Sequence, residues 1–311
     1  MALSTRLLQR LNCEGYKNWM KAGYCLHMLQ SRLQGYIDAE MRTFHRQLVS
    51  KISPAARQRY KSCRCRVRGK QFHPECPVCR EWTELILDHH KNRNGDIHWG
   101  NCNPSLWPVN YWEVAKVYLP RGHTNSSGPQ KCDAAALLNL INSCDHFKVA
   151  DISRVREIIK CRNDLMHSYD LTVDSSWLKD FGKKIQELIT ELRHVPSLVN
   201  EAEQLQEVLT TDWSVEDLVT HEVDGIGGSL SDVDENVCFK HFSLDSLSLN
   251  ELEIELLCQL LEELYLQKEE HEVLSEKELT NVATLKSFLS ENKDLLSVFE
   301  KELDKLDTLL N

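Results

Sequence analysis

Residues 152–192 read ISRVREIIKCRNDLMHSYDLTVDSSWLKDFGKKIQELITEL. Apolar side chains recur there at steps of three and four. The first set is Ile152, Val155, Ile158, Ile159, Leu165 and Met166; the second is Trp177, Phe181, Ile185, Leu188, Ile189 and Leu192. That is the period of an α-helix with one buried face. Asp151 caps the first helix and Asp174-Ser175-Ser176 the second, because short polar side chains accept bonds from first-turn amides. Two such helices joined by a polar loop imply an all-α bundle.

The same period spreads outward. Leu26, Leu29, Leu33, Ile37, Met41, Phe44 and Leu48 mark one buried face of a helical region over 5–50, which Ser53-Pro54 ends. A short helix is predicted over Tyr111 to Leu119, and another over Asp133 to Phe147. A fourth bundle segment starts at Pro196 and fades near Trp213. Ser275-x-x-Glu278 and Ser248-x-x-Glu251 both read as capping boxes of a final helical pair. No run reads as a strand. The chain is thus organised as a bundle over 5–195 with a Cys/His-rich basic insertion at 52–110. An additional helix follows at 196–213, then an acidic linker at 214–247 and a C-terminal helical hairpin at 248–311.

Charge is divided unevenly along the 311 residues. Residues 1–130 hold 20 Lys and Arg against 9 Asp and Glu; residues 131–311 hold 17 against 38. Arg42 to Lys70 contains ten basic residues and no acidic one. Such a block calls for a polyanion partner, or for cover by the chain's own acidic tail. No stretch has the length of a membrane helix, and the first residues lack a signal-peptide core. The sequence reads as a soluble intracellular protein, cytoplasmic or nuclear. Its 12 cysteines read as buried thiols or metal ligands in a reducing compartment.

Cys63-Arg64-Cys65, Cys76-Pro77-Val78-Cys79, His89-His90 and His98-x-x-x-Cys102 crowd into about forty residues. Zinc takes four soft or borderline ligands, and Cys-x-x-Cys offers two thiolates from one tight turn. Cys76 and Cys79 supply that pair. Cys65, His98 and Cys102 are the candidates for the rest, with His89 or His90 in reserve; buried thiols in an ordinary insertion are the alternative. Trp82, Trp99, Trp107 and Trp112 flank the stretch, either as packing or as stacking platforms for bases. A metal-dependent His-Asn-His nuclease frame would need strands that the pattern lacks.

Arg162-Asn163-x-x-x-His167, set between the two amphipathic helices of 152–192, resembles the motif of the HEPN superfamily. The nearest form is the HEPN domain of a zinc-finger ubiquitin ligase. Resemblance implies a small antiparallel helical bundle, and in active members a metal-independent endoribonuclease that works as a homodimer. His167 would then move a proton at the ribose hydroxyl or the leaving oxygen. Arg162 would hold the phosphate, and Asn163 would orient either group. HEPN domains also act without catalysis, as dimerisation or adaptor modules that recruit protein partners, here through the C-terminal helices. On a continuous helix Arg162 and His167 would point about 140° apart. Either the helix ends before His167, or two subunits share the site. Arg162 in an ion pair and His167 at a helix end would be the purely structural alternative. No Gly-rich phosphate loop follows a strand, and no Ser or Cys nucleophile has a local signature.

Overall fold

A computed structural model of the chain describes residues 5–59, 65–67, 71–211, 213, 249–270 and 275–310. Its helices are α1 (Thr5–Leu11), α2 (Glu14–Lys51), α3 (Pro54–Arg59), α4 (Pro77–Asp88), α5 (Tyr111–Ala115), α6 (Ala134–Ser143) and α7 (Ile152–Met166). They continue with α8 (Ser175–Glu191), α9 (Pro196–Val199), α10 (Ala202–Thr210), α11 (Leu249–Glu270), α12 (Glu276–Glu291), α13 (Lys293–Leu296) and α14 (Glu300–Leu310). The fold class is all-α. Among the described residues there is no extended strand, and an isolated antiparallel bridge pairs His90 with Cys144. No described helix is long and apolar enough to cross a membrane.

The chain divides into two compact units. A central unit takes residues 25–164 and 180–205; a terminal unit takes 1–24, 165–179 and 206–311. In the central unit, Leu29, Leu33, Ile37, Met41, Phe44 and Leu48 of α2 are all buried. Leu137, Leu140 and Ile141 of α6, Val155 and Ile158 of α7, and Phe181 and Ile185 of α8 are buried with them. The stripe that the sequence predicted on α2 is therefore a core stripe throughout.

In the terminal unit, Leu252, Leu256, Leu260 and Leu264 line the buried side of α11, and Val282, Leu285 and Leu289 that of α12. Ser275 and Glu278 close a complete capping box at the start of α12. Gly23 has no side chain for a steric reason: a Cβ built there would lie 2.2 Å from Leu256 Cδ1. Leu256 is itself only 2% exposed and has little room to move aside. A buried ionic knot ties α1 to the C-terminal helices. Arg10 Nη2 reaches Glu253 at 2.7 Å and Asp294 at 3.0 Å, and the Tyr16 hydroxyl donates to Glu253.

Three local differences from the sequence pattern have simple causes. The helical region at 5–50 is broken at Asn12–Cys13. The C-terminal pair carries two further short helices after Asn292, whose side-chain amide bonds to Phe288 O and turns the chain. The Cys/His stretch contains a full three-turn helix, α4, that its cysteines obscured. Residues 214–247, read as the acidic linker, and Ser248 of the first capping box lie outside the described residues.

Candidate functional site

The cysteine cluster is built on α4. Cys76 is the N-cap, Pro77 occupies the first helical position, and Cys76 Sγ accepts the Cys79 amide at 3.3 Å. Proline suits that position because its missing amide is unpaired there anyway. Val78, Cys79, Trp82, Thr83 and Ile86 form the buried face of the helix. Cys65 comes back to the same end, and the sulfurs of Cys65, Cys76 and Cys79 all lie within 4.8 Å of one another. Tetrahedral zinc with Zn–S bonds of about 2.3 Å places its sulfurs about 3.8 Å apart. The trio is therefore close to ligand spacing. Cys65 and Cys79 are buried and Cys76 partly so, as suits a structural ion. These three residues could hold a metal.

His98 and Cys102 do not belong to that group. His98 precedes a 3-10 turn, Trp99–Asn101, as its N-cap. The Cys102 thiol donates to Trp99 O at 3.3 Å, and burial pushes it up to about 12. Cys63, two positions before Cys65, lies outside the described residues. Trp82, Trp107 and Trp112 are buried, which removes them as stacking platforms. Trp99 is partly exposed and packs on Phe72 and Trp107 at centroid distances of 5.5 and 6.3 Å.

Basic side chains adjoin the cluster in sequence and are exposed on the same unit. Arg66 and Arg80, each one residue beyond a clustered cysteine, are exposed, as are Arg46 and Lys51 near the end of α2. Glu81 is turned aside: its carboxylate accepts from Ser53 N at 2.6 Å and Ser53 Oγ at 2.8 Å. That contact also pins the start of α3 to α4. Arg42 is held back by Asp38 at 2.7 Å and lies over the Tyr111 ring.

The Arg162 segment looks different. Arg162 lies on α7, four residues before its end, and is 7% exposed. Its Nη2 lies 2.7 Å from Asp133 Oδ2, a charge contact without aligned hydrogen-bond geometry. Asp133 is also the N-cap of α6, accepting the Ala136 amide at 2.8 Å. Asn163 Oδ1 accepts from Arg162 at 3.4 Å. The imidazole that feels Arg162 within the central unit is His123. Burial lowers its pKa, Asp133 opposes that, and Arg162 and Lys116 add to it. Sequence reasoning missed both partners, Asp133 at a predicted helix start 29 positions upstream and His123 in a polar loop 39 positions upstream. α7 stops at Met166, so His167 lies beyond its end, exposed, in the terminal unit. His167 Nε2 is 2.8 Å from the Gln267 side-chain nitrogen of α11. The structure thus gives Arg162 and His167 separate partners, Asp133 for one and Gln267 for the other.

The family described as a domain of unknown function, DUF4559, matches residues 10–311. The chain belongs to this family. The DUF4559 match includes the cysteine trio, the basic side chains adjoining it in sequence and the Arg162 segment. The mouse (Mus musculus) protein described as "Uncharacterized protein CXorf38 homolog" is 46% identical over 308 residues, which covers 98% of this chain and 92% of the mouse protein. No solved structure matches this DUF4559 chain.

Proposed function

We propose that the chain is an intracellular, HEPN-type RNA-binding protein whose contact surface is a zinc-held basic module. Cys65, Cys76 and Cys79 hold the metal, which leaves one position for a further ligand. One observation carries the reading: Arg66 and Arg80 stand exposed immediately beside the clustered cysteines, while the neighbouring Glu81 is engaged with Ser53. Folding the cluster aims those guanidinium groups outward from fixed points, so little order is lost when a phosphate binds. RNA, rather than another polyanion, is favoured by the HEPN resemblance.

Phosphate contacts release counterions, so each lost contact lowers the salt slope of binding to a single strand by about 0.7. The double variant Arg66→Ala/Arg80→Ala is expected to bind a labelled single-stranded RNA roughly tenfold more weakly. Its slope should fall by about 1.4. Fluorescence anisotropy across a potassium chloride series measures both. Wild-type affinity and slope in the double variant would remove this module as the contact surface.

A second reading concerns the Arg162 segment, and the Asp133 contact favours it. A guanidinium that is buried and already paired is poorly placed to clamp a phosphate. In this reading Arg162, Asn163 and His167 fasten helices within a non-catalytic adaptor. His167→Ala is then expected to leave RNA binding unchanged and to produce no loss of cleavage in a labelled-RNA assay. Cleavage by wild type that disappears in a folded His167→Ala protein would restore the nuclease reading. That outcome would also call for a homodimer in light scattering.

A further inference from the structure

At the other end of α4, a second set of groups is fixed by backbone. His90 and Cys144 form the antiparallel bridge, and its flanking bonds are Lys91 N to Ser143 O at 2.8 Å and Asp145 N to His89 O at 3.0 Å. This places His89 and Asp145 opposite each other. His89 Nδ1 meets Asp145 Oδ1 at 2.7 Å, and the ring packs edge-on against Phe44 at 5.1 Å. Lys51, two turns beyond Phe44 on α2, brings its ammonium to 3.3 Å from His89 Nε2.

The proton positions follow from these contacts. An ammonium only donates, so His89 Nε2 accepts from Lys51, and Nδ1 carries the proton that goes to Asp145. One imidazole is thus locked in a single tautomer with its outer nitrogen beside a lysine. A proton added at Nε2 would set two cations against each other. An anion that accepts from both would relieve that repulsion.

We propose that Lys51 and His89 form a proton-linked seat for a phosphate group of the bound RNA. Asp145 acts as the positioning residue. This rests on the RNA-binding reading, and Lys51 already belongs to the basic end of α2. The seat is open enough for a polymer: the His89 side chain is 26% exposed and that of Asp145 46%. Phosphate oxygens would accept one bond from Lys51 Nζ and one from protonated His89 Nε2, both charge-assisted. Of the charged and titratable groups around His89, Lys51 and Glu40 come from α2, and Asp145 and His146 from the turn after α6. Asp88, Lys91 and Arg93 lie near it in sequence, with Arg93 directed to Asp88 at 3.5 Å. His90, next in sequence, stacks on Tyr118 at 5.2 Å, and Tyr118 and Cys144 both lie within electrostatic reach of Asp145.

The turn supplies its own control. His146 also packs on Phe44, tilted and at 5.1 Å, but its Nε2 is bound by Glu40 at 2.8 Å. It has a carboxylate partner and no lysine at that nitrogen. It should therefore take no part in the seat.

The test is anisotropy of the same labelled RNA between about pH 7.5 and pH 5.5, where histidine charge changes. Full-length wild type, His89→Gln, Lys51→Ala and His146→Gln are compared at fixed ionic strength, each checked for folding by its melting curve. Wild type and His146→Gln are expected to tighten roughly tenfold as pH falls, the scale of one charge-assisted bond. His89→Gln should lose most of that change yet keep its binding at the upper pH. Lys51→Ala should weaken binding at both ends. A pH response that survives in His89→Gln, or vanishes only in His146→Gln, overturns the seat. A folded wild type that binds no RNA at either pH overturns the RNA-binding reading itself, and the seat with it.

Discussion

Cys79→Ser is expected to strip the metal and unfold the segment that leads into α4. Protein purified from zinc-replete culture should carry one zinc per chain by elemental mass spectrometry, and the variant almost none. The scale is large. Structural zinc contributes about 10–16 kcal/mol of apparent binding energy in small domains at neutral pH. That rivals the entire stability of a typical domain, about 5–15 kcal/mol. The segment before α4 has little else to fold around: Cys65 and Phe72 are the buried residues among those described between Ala56 and Cys76. Hydrogen exchange should therefore lose protection in the segment before α4 and in its first turn, in Cys79→Ser and in wild type after chelation. Cys102→Ser should keep its zinc, since that thiol is directed to Trp99 O. Metal-free wild type with full protection of that segment and turn would rule out a structural ion here.

Arg10→Ala should be the most damaging change in the terminal unit. Glu253 is 1% exposed and receives Arg10 through two 2.7 Å contacts. Removing one member of a buried pair leaves the other charge without compensation, which costs about 3–5 kcal/mol. On the melting temperature this is a drop on the order of 10 °C. The loss should depend on pH. Burial pushes the Glu253 carboxyl above its ordinary value, against the pull of Arg10 and Tyr16. The folded state then holds that proton more tightly than the unfolded chain does. Its contribution is present below the unfolded value and falls as pH rises through the folded one. Without Arg10 the folded value rises further. The gap between variant and wild type should thus be wide near about pH 7.5 and shrink toward about pH 4.5. Melting curves at those two values decide it; an equal gap would mean that the pair contributes by shape and not by charge.

How much of this was legible depends on distance along the chain. The α2 stripe from Leu26 to Leu48 was readable because its period is local and its members are all apolar. α4 hid in plain sight. Val78, Trp82 and Ile86 step by four, but the cap is a cysteine and not Ser, Thr, Asp or Asn, and Cys-x-x-Cys drew the eye to ligands. The cysteine trio was half legible: Cys76 and Cys79 by spacing, Cys65 by proximity. Cys102 belongs instead to an aromatic cluster with Trp99 and Trp107 that exists only once the chain is folded. Asp133, the partner of Arg162, was readable as a helix cap and not as a counter-ion, because nothing in sequence links positions 29 apart. The Lys51–His89–Asp145 set was invisible for the same reason, since a backbone bridge assembles it.

The ionic knot at Arg10 also sets a timetable. Arg10 and Glu253 are 243 residues apart. A ribosome adding about 5–20 residues per second needs on the order of 12–50 s to cover that interval. For all that time α1 and the start of α2 have emerged without the helices they pack against. Leu7, Leu11 and Trp19, each fully buried in the finished unit, have no C-terminal cover until the last third of the chain arrives. The central unit can collapse first, and the nascent N-terminus must be kept from aggregating until those helices emerge.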